Sequence, residues 1–336
     1  SEGGGGAKMK VLVTGATGFI GGNVARTLLA RGYQVRTLVR PESSTLTLRD
    51  TRAEQVHGDV RDRESVARAL EGCQAVFHCA ALYAFDLPDP RLLYETNVTG
   101  TRVVLEEARR AQVERVVYTS TVSTIGLPGN GTLGREELEP TPDELVGHYK
   151  RSKWLAEQEA RRFAREGLAV VTVNPTAPVG PWDVKPTPTG RLVLDFLLGR
   201  MPAYIATGMN LVDVEDVAVG HVLALEKGQP GQRYLLGHRN MTLREVLETL
   251  AQITGRRAPR IQVPLRLALA LGYLDQLLEQ RLLRRQPRIP LEGLKVARKP
   301  MYVDCQRAVQ ELGLPQSPVE GALEKAVRWF RAYGYA

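Results

Sequence analysis

The stretch "KVLVTGATGFIGG", residues 10–22, places a short apolar run directly before a glycine-rich turn and an amphipathic segment. The apolar run has the composition of a buried parallel strand, and residues 18–31 carry apolar side chains at helical spacing. Gly15, Gly18 and Gly21 lie between the two elements. Glycines at such positions permit a tight turn, the approach of a pyrophosphate to the backbone and close packing of helix on strand. The stretch predicts a dinucleotide-binding βαβ unit.

The same alternation of apolar runs and helical periodicity continues to about Pro181. Further strands are predicted at 33–39, 53–59, 74–81, 114–121 and 168–175, with helices at 64–72, 100–111 and 149–166. Beyond Pro181 a Pro- and Thr-rich stretch leads into mainly helical segments, which are predicted at 242–255, 264–285 and 321–334. The pattern indicates an α/β fold, namely a Rossmann-type doubly wound parallel sheet with a smaller, mainly helical C-terminal substrate lobe.

The chain is expected to divide into three parts. Residues 1–8, "SEGGGGAK", have neither an apolar core nor helical periodicity and are interpreted as an expression scar. Residues 9–181 form the predicted dinucleotide-binding domain. Residues 182–336 form the predicted substrate-binding lobe, from which a strand could return to the sheet of the first domain.

Composition narrows the function classes. The chain has 336 residues, of which 43% are hydrophobic and 24% charged, and no stretch stays apolar long enough to span a bilayer. Three cysteines without metal-ligand spacing argue against a disulfide framework or a metal site and favour a cytoplasmic location. The net charge of +8 is compatible with binding of a nucleic acid or of a dinucleotide phosphate. Because arginines are scattered and aromatics make up 6%, we expect no nucleic-acid partner.

The end of the second predicted strand bears on the choice of cofactor. It reads "LVRPESS" and places Arg40 where a carboxylate would hold a free ribose 2′-hydroxyl. An arginine can instead form a bidentate pair with a 2′-phosphate. NADP is therefore the predicted cofactor, and NAD remains the alternative if Arg40 merely faces solvent.

The stretch "HGDVRD" ends the third predicted strand with Asp59 and Val60. The carboxylate of Asp59 could accept a hydrogen bond from the adenine amino group, and Val60 could pack on the adenine ring. The alternative is that Asp59 only caps a helix that starts at Arg61.

A candidate proton-transfer pair follows the fifth predicted strand, "RVVYTST", whose last hydroxyls belong to Thr119, Ser120 and Thr121. In "GHYKRSK", Tyr149 and Lys153 lie four residues apart, on one face of a helix. The pKa of free tyrosine is near 10, and a nearby ammonium lowers it. The pair could therefore act as an acid/base centre, or it could belong to an ordinary solvated helix face.

Six motifs resemble those of extended short-chain dehydrogenases/reductases, the NAD-dependent epimerase/dehydratase family. They are "TGATGFIGG", "HCAA", "NVTGT", "YTSTVSTIG", "YKRSK" and "NPTAPVGP", and the resemblance extends from Met9 over nearly the whole chain. The stretches "GHYKRSK", "VNPTAPVGPWDVKPTPTGR" and "LVDVEDVAVGH" are similar to the hopanoid-associated sugar epimerase and dihydroflavonol 4-reductase-like subfamily.

The resemblance implies roles at matching positions. Tyr149 would be the catalytic acid/base, Lys153 its partner and Thr121 the substrate-binding hydroxyl, while Asn97 would help order a proton-relay water. Together with the motifs, it gives as cofactor contacts Gly15, Thr17, Gly18, Phe19, Ile20, Gly21, Arg40, Asp59, Val60, Ala80, Ala81, Thr119, Tyr149, Lys153 and Pro175. The substrate candidates are Ser123, Lys185, Thr187 and Arg191, the last three of which could equally belong to a plain surface loop. Related proteins commonly form homodimers through helices corresponding to 100–111 and 149–166, so the resemblance implies a homodimer here.

The leading functional hypothesis is an NADP-dependent oxidoreductase that interconverts a carbonyl and a secondary alcohol by hydride transfer. The alternatives are a sugar or nucleotide-sugar epimerase with tightly held NAD(P), and a non-catalytic NAD(P)-sensing protein. A small carbonyl, alcohol or sugar-type molecule is the expected substrate. The segment 264–285 is apolar and then basic, which could suit a membrane surface. Such segments more often pack within the protein, so we expect no membrane contact.

Overall fold

The computed structural model describes residues 8–83, 89–278, 294–295 and 297–336. Within these ranges a parallel seven-stranded sheet is built from β1 (Lys8–Thr14), β2 (Tyr33–Val39), β3 (Glu54–His57), β4 (Ala75–His78), β5 (Arg115–Thr119), β6 (Val170–Pro175) and β10 (Arg233–Leu236). The strand order is β10-β6-β5-β4-β1-β2-β3. This order reverses direction between β1 and β4, and ligands of open α/β sheets bind at the carboxyl edge near such a reversal. The predicted Rossmann-type fold is confirmed.

Both faces of the sheet are covered, which is why its strands have continuous apolar sequences. In β1, Val11 and Val13 belong to the core on one face and Leu12 belongs to the core on the other. The helices of the Rossmann-type half are α1 (Phe19–Ala30), α2 (Arg63–Leu70), α3 (Arg91–Tyr94), α4 (Gly100–Arg110) and α5 (Gly147–Arg165). A π-helical turn, Glu95–Thr99, joins α3 to α4, and the sequence did not predict it.

The chain after residue 181 contributes to the main sheet. Strand β10 pairs with β6, and the helix α7 (Val214–Lys227) packs against α1 in the core of one face. The periodicity of the sequence did not locate strand β10. At four residues it is too short to be recognised without its neighbour.

The rest of the C-terminal half contains more strand than the sequence predicted. Strands β7 (Ala177–Val179), β9 (Gly208–Asp213) and β11 (Arg239–Thr242) form one small sheet, and β8 (Ala203–Ile205) pairs with β12 (Ile261–Val263). The helices are α6 (Pro188–Leu197), α8 (Leu243–Thr254), α9 (Leu265–Leu278) and α10 (Val319–Ala332). The predicted helix 264–285 corresponds to α9, and its last part, 279–285, lies outside the described residues.

Candidate active site

The glycine-rich turn between β1 and α1 leaves room for backbone alone. Gly15 has a φ of +74°, and a Cβ on this residue would lie 2.6 Å from the backbone nitrogen of Ala80. A Cβ on Gly21 would lie 2.2 Å from the carbonyl oxygen of Gly15. Gly18 precedes α1 as an exposed N-cap without a side chain, whereas Phe19 is buried. N–H groups at the start of a helix can bind a pyrophosphate, and the absence of side chains at these glycines lets one approach; contacts by Thr17 and Ile20 stay a prediction.

A buried histidine connects the glycine turn to the loop after β4. His78 contacts the hydroxyl of Thr14 through Nδ1 (2.7 Å) and the hydroxyl of Thr101 through Nε2 (2.9 Å). The N–H of Ala80 donates to Thr14 Oγ1 (3.2 Å). Burial, with a smaller effect from the charge of Lys153, lowers the pKa of His78 to about 3, so the imidazole stays neutral. The half-buried Ala80 is thereby held next to the glycine turn, whereas Ala81 is exposed. A contact of either residue with the cofactor stays a prediction.

The side chain of Arg40 is about half exposed beside the end of β2. Its Nε lies 3.4 Å from a carboxylate oxygen of Glu42, a residue that the sequence analysis did not weigh. A phosphate would therefore compete with Glu42 for the guanidinium. Because the Arg40–Glu42 pair is exposed to solvent, it is weak, and the Arg40 side chain can change rotamer to reach a phosphate.

Asp59 does not cap the following helix, so that alternative is wrong. The cap is Asp62, which accepts from the N–H of Ser65 (3.1 Å) at the start of α2. Asp59 instead accepts from the Arg61 guanidinium at 3.0 and 2.7 Å, and these bonds lower the pKa of its carboxyl. Together with residues of the π-helical turn, Asp59 and Arg61 line a cavity of about 450 Å³.

Val60 is less available to an adenine ring than the sequence suggests. Its side chain is buried in the core, where a Cβ on Gly100 would approach Val60 Cγ2 to 2.9 Å. The missing side chain at Gly100 thus lets α4 and Val60 pack closely.

Lys153 lies at the carboxyl end of β5 and is 3% exposed. Its Nζ donates to the carbonyl oxygen of Thr119 (2.9 Å) and lies 3.4 Å from the hydroxyl of Tyr118. Burial lowers the pKa of Lys153 to about 8, against the opposing effect of Glu157. The ammonium is thus held at the sheet edge by a backbone carbonyl.

Tyr149 lies one helical turn before Lys153 on α5 and is half-buried. Its ring packs edge-on against that of Tyr83, with 4.5 Å between centroids. Burial raises the pKa of the Tyr149 phenol, which is opposite to the lowering that the sequence analysis expected from Lys153. The sequence analysis did not identify Tyr83, since nothing in "AALYAF" marks it as a neighbour of Tyr149.

The three hydroxyls after β5 have different surroundings. Thr119 Oγ1 lies 2.9 Å from Nε2 of the buried His221, and because His221 Nδ1 lies 2.8 Å from the carbonyl oxygen of Val217, Nδ1 carries the proton and Nε2 accepts. The hydroxyl of Ser120 donates to Glu157 (2.5 Å). Thr121 is half-buried, and its Oγ1 accepts from the N–H of Ser123 (3.2 Å). The Thr121 hydroxyl can thus donate its proton to a substrate oxygen.

A buried carboxylate, Glu157, lies one turn beyond Lys153 on α5, and the sequence analysis missed it. Glu157 is 1% exposed. Burial raises the pKa of its carboxyl, but Arg233 and the surrounding hydroxyls outweigh that effect and lower the pKa. Its side-chain partners are Ser120 (2.5 Å), Thr124 (2.6 Å), Asn174 (3.1 Å), Arg161 (3.0 Å) and Arg233 (2.9 Å).

Asn97 lies in the π-helical turn and joins Ser152 of α5 to the segment around Leu82. Its Nδ2 donates to Ser152 Oγ (2.9 Å) and to the carbonyl oxygen of Leu82 (3.1 Å), and its Oδ1 accepts from the N–H of Leu82 (2.7 Å). Both amide groups are therefore occupied by protein partners. A role in ordering a relay water stays a prediction.

Of the substrate candidates, Thr187 has a structural role. Its side chain caps α6, and its N–H and hydroxyl both donate to the buried carboxylate of Asp183, at 3.0 and 2.8 Å. Lys185 and Arg191 are exposed. Pro175, the predicted nicotinamide neighbour, is buried at the end of β6. The structure therefore places Thr121 and the Lys153 ammonium at the carboxyl end of β5, with Tyr149 one turn before Lys153 on α5, and it gives Thr187 a capping role at α6.

The fold and this sheet edge define an NAD(P)-dependent enzyme of the extended short-chain dehydrogenase/reductase type. Residues 11–237 match the NAD dependent epimerase/dehydratase family, and the chain belongs to that family.

Two relatives and one solved structure illustrate the range of the family. The chain is 46% identical to a protein of Synechocystis sp. named as a dihydroflavonol 4-reductase, over 96% of this chain and 95% of the relative. It is 39% identical to sterol demethylase protein B of Methylococcus capsulatus, over 97% and 99%. A nucleoside-diphosphate-sugar epimerase from Pseudomonas aeruginosa superposes with a TM-score of 0.81 at 27% identity, over 98% and 99%.

Proposed function

We propose that this chain is an NADP-dependent oxidoreductase that interconverts a carbonyl and a secondary alcohol, with Tyr149 as the acid/base. The observation that carries the proposal is the placement of Tyr149 and Lys153 on α5, with Lys153 Nζ bound to the carbonyl oxygen of Thr119. Thr121 follows two residues later and has a hydroxyl proton available. Three groups suited to carbonyl chemistry therefore lie at the carboxyl edge of the sheet.

Each residue has a role in the proposed reaction. A bound nicotinamide would supply the hydride for reduction, and the chain's own residues position the substrate and move the proton. Thr121 donates a hydrogen bond to the carbonyl oxygen, and Tyr149 transfers its phenolic proton to that oxygen. Lys153 stabilises the resulting phenolate by its charge and can hold ribose hydroxyls. The raised pKa of Tyr149 suits reduction, because the protonated phenol is the reactive form in that direction.

The names of the relatives suggest a class of substrate. A dihydroflavonol and a sterol are both fused- or linked-ring molecules that are much larger than simple aldehydes. A substrate panel should therefore include ring ketones of this size together with nucleotide sugars.

Substitution of Tyr149 tests the mechanism. With a substrate found in this panel, we expect Tyr149→Phe to lower kcat by about 100- to 10,000-fold, because the proton donor is lost. Binding of NADPH, measured by fluorescence titration, should stay within about twofold, since no phosphate contact changes. Tyr94→Phe is the matched control, because it removes a phenol near α5 that contacts His148 (2.9 Å) instead of the sheet edge. Full turnover by Tyr149→Phe would refute the mechanism.

The preference for NADP depends on Arg40. We expect Arg40→Ala to raise the Michaelis constant for NADPH by about 10- to 100-fold, the value of a charge-assisted hydrogen bond, and to leave that for NADH unchanged. Glu42→Gln should lower the NADPH constant, because Glu42 competes for the guanidinium. Steady-state kinetics with both cofactors measure these effects. Equal changes for NADPH and NADH would contradict the assignment.

A sugar epimerase is the second candidate function, and the similarity to a nucleoside-diphosphate-sugar epimerase favours it. An epimerase regenerates its cofactor in each cycle and usually retains it. A stoichiometric cofactor that survives gel filtration, with no net oxidation of NADPH, would support this candidate over the oxidoreductase.

A further inference from the structure

The net positive charge of the chain is concentrated in one segment. Residues 256–300 contain eleven Lys and Arg and three Asp and Glu, which gives +8. The whole chain has 45 basic and 37 acidic residues, so 34 of each remain elsewhere and cancel. Part of this segment, 279–293 and 296, lies outside the described residues and enters the count by sequence alone. The described residues of this segment alone carry seven Lys and Arg and one acid, Asp275, so the segment that contains α9 is basic where the structure describes it.

Helix α9 also presents an apolar stripe to solvent. Leu267, Leu271 and Leu274 are 52%, 46% and 53% exposed, and their spacing of four and three residues places them on one face. Tyr273 on the same helix and Ile261 in β12 are 52% and 64% exposed. The exposed apolar residues of this region are therefore more than scattered single surface leucines, and three of them share one helix face.

The residues of α9 that pack inward are small, and basic groups lie on the helix and against its tyrosine. Ala268 and Gly272 are the buried positions within Leu265–Asp275. Arg266 is exposed on the same helix, and the ammonium of Lys295 lies 5.4 Å from the centre of the Tyr273 ring. The sequence-based expectation that this helix packs within the protein is therefore not met along the stripe.

We propose that α9 and Ile261, with the basic residues Arg256, Arg257, Arg260, Arg266 and Lys295, form a docking surface for an anionic lipid bilayer. An amphipathic helix with leucines on one side and Arg or Lys around them can lie in the plane of a membrane interface. Its leucines enter the acyl boundary while the cations approach anionic headgroups. The contact is peripheral, because no helix within the described ranges is long and apolar enough to cross a bilayer.

Charge and polarity favour this occupant over two others. A second copy seated on the same patch would bring two basic segments together, which like-charge repulsion opposes. A nucleic acid would satisfy the basic residues but would leave the leucines in water. An anionic bilayer offers both an apolar phase and negative charge.

The test is flotation of the full chain with vesicles of phosphatidylcholine alone, and with vesicles containing about three parts in ten phosphatidylglycerol. The first variant is Leu267→Ser/Leu271→Ser/Leu274→Ser, and its control is Leu92→Ser/Leu198→Ser, at exposed leucines elsewhere. The second is Arg256→Gln/Arg257→Gln/Arg260→Gln, and its control is Arg49→Gln/Arg165→Gln/Arg328→Gln, at exposed arginines elsewhere. NADPH affinity and the thermal midpoint establish that each variant is folded.

We expect the wild-type chain and both controls to float with the anionic vesicles, with at least about tenfold weaker binding to phosphatidylcholine. The leucine variant should lose at least about tenfold in affinity, and the arginine variant should also lose most of its salt dependence. Three results would overturn the proposal. They are no flotation with anionic vesicles, equal flotation of the leucine variant, and a wild-type dimer that does not bind vesicles but dissociates in the leucine variant. Binding to DNA without binding to vesicles would also overturn it.

Discussion

At the residue scale, the buried carboxylate of Glu157 links Lys153 on α5 to the hydroxyl groups after β5. It lies four residues after Lys153 on α5, and its charge raises the pKa of that lysine against the larger lowering effect of burial. Its oxygens also hold Ser120 and Thr124, which flank Thr121. Glu157 therefore acts as a positioning residue for the lysine charge and for the loop after β5.

We expect Glu157→Gln to move the alkaline limb of kcat/KM to lower pH. The neutral amide removes the influence that raises the Lys153 pKa, so the lysine loses its proton at a lower pH than about 8. The variant should also lose about 1–3 kcal/mol in the free energy of unfolding, because the buried Arg233 loses one carboxylate partner and keeps the other, Glu139.

Ser120→Ala is the matched control for this prediction, because it removes one bond to Glu157 and leaves the charge. It should cost about 1 kcal/mol of stability and leave the alkaline limb unchanged. Urea unfolding and a pH–rate profile with NADPH measure both variants. An unshifted limb in Glu157→Gln would show that Glu157 has a packing role alone.

At the element scale, the start of α6 depends on a buried acid. Asp183 is 1% exposed and accepts from the N–H and the hydroxyl of Thr187, which caps α6. Glycine is needed at position 190, since a Cβ there would lie 1.8 Å from Asp183 Oδ2. The Asp183 carboxylate thus fixes the conformation of the Pro-rich loop at Thr187, whose N–H and hydroxyl both donate to it.

Asp183 should make stability depend on pH in a defined direction. Burial raises the pKa of its carboxyl to about 6, so the folded state holds this proton more tightly than the unfolded chain. The contribution is fully present below the ordinary aspartate pKa and is lost as pH rises through about 6. The free energy of unfolding of the wild-type chain, compared with that of Asp183→Asn, should therefore fall by about 2–3 kcal/mol between about pH 4 and about pH 7.

Thermal midpoints of both chains across this pH range measure the difference. Glu324→Gln, at an exposed carboxylate on α10, is the control, and its thermal midpoint should depend on pH in the same way as that of the wild type. A constant gap between wild type and Asp183→Asn would contradict the prediction.

At the scale of the whole molecule, the two halves share one core. Val217, Ala218 and Val222 of α7 are fully buried in the same cluster as Val24 and Leu28 of α1. Strand β10 covers the edge of β6, and its Arg233 reaches Glu157 on α5. The chain after residue 181 therefore completes the sheet and the core of the chain before it.

We expect residues 8–181 produced alone not to fold cooperatively. The fragment lacks α7 and β10, so it exposes an apolar face of α1 and an unpaired edge of β6. Circular dichroism melting and amide NMR dispersion test this expectation, and co-production with residues 182–336 should restore a folded complex. A fragment with a sharp melting transition of its own would show that the boundary near 181 separates independent folding units.

Much of the site could be predicted from the sequence, because its signals are local. The strand–glycine–helix stretch identified the turn at Gly15, and the four-residue spacing of Tyr149 and Lys153 placed them on one helix face. The interaction of Glu157 with Lys153 follows the same spacing and could have been found in this way. Its pairing with Arg233 could not, because that residue lies 76 positions away in sequence.

The sequence by itself determined the strand–helix alternation, the glycine turn and the helix that carries Tyr149 and Lys153, since each depends on interactions between near neighbours. The tertiary structure alone decided which strand completes the sheet, which hydroxyl after β5 keeps a proton to donate, and in which direction the Tyr149 pKa moves. It also decided that the leucines of α9 face solvent. Burial and long-range pairing set these properties, and both depend on residues that periodicity and spacing along the chain do not connect.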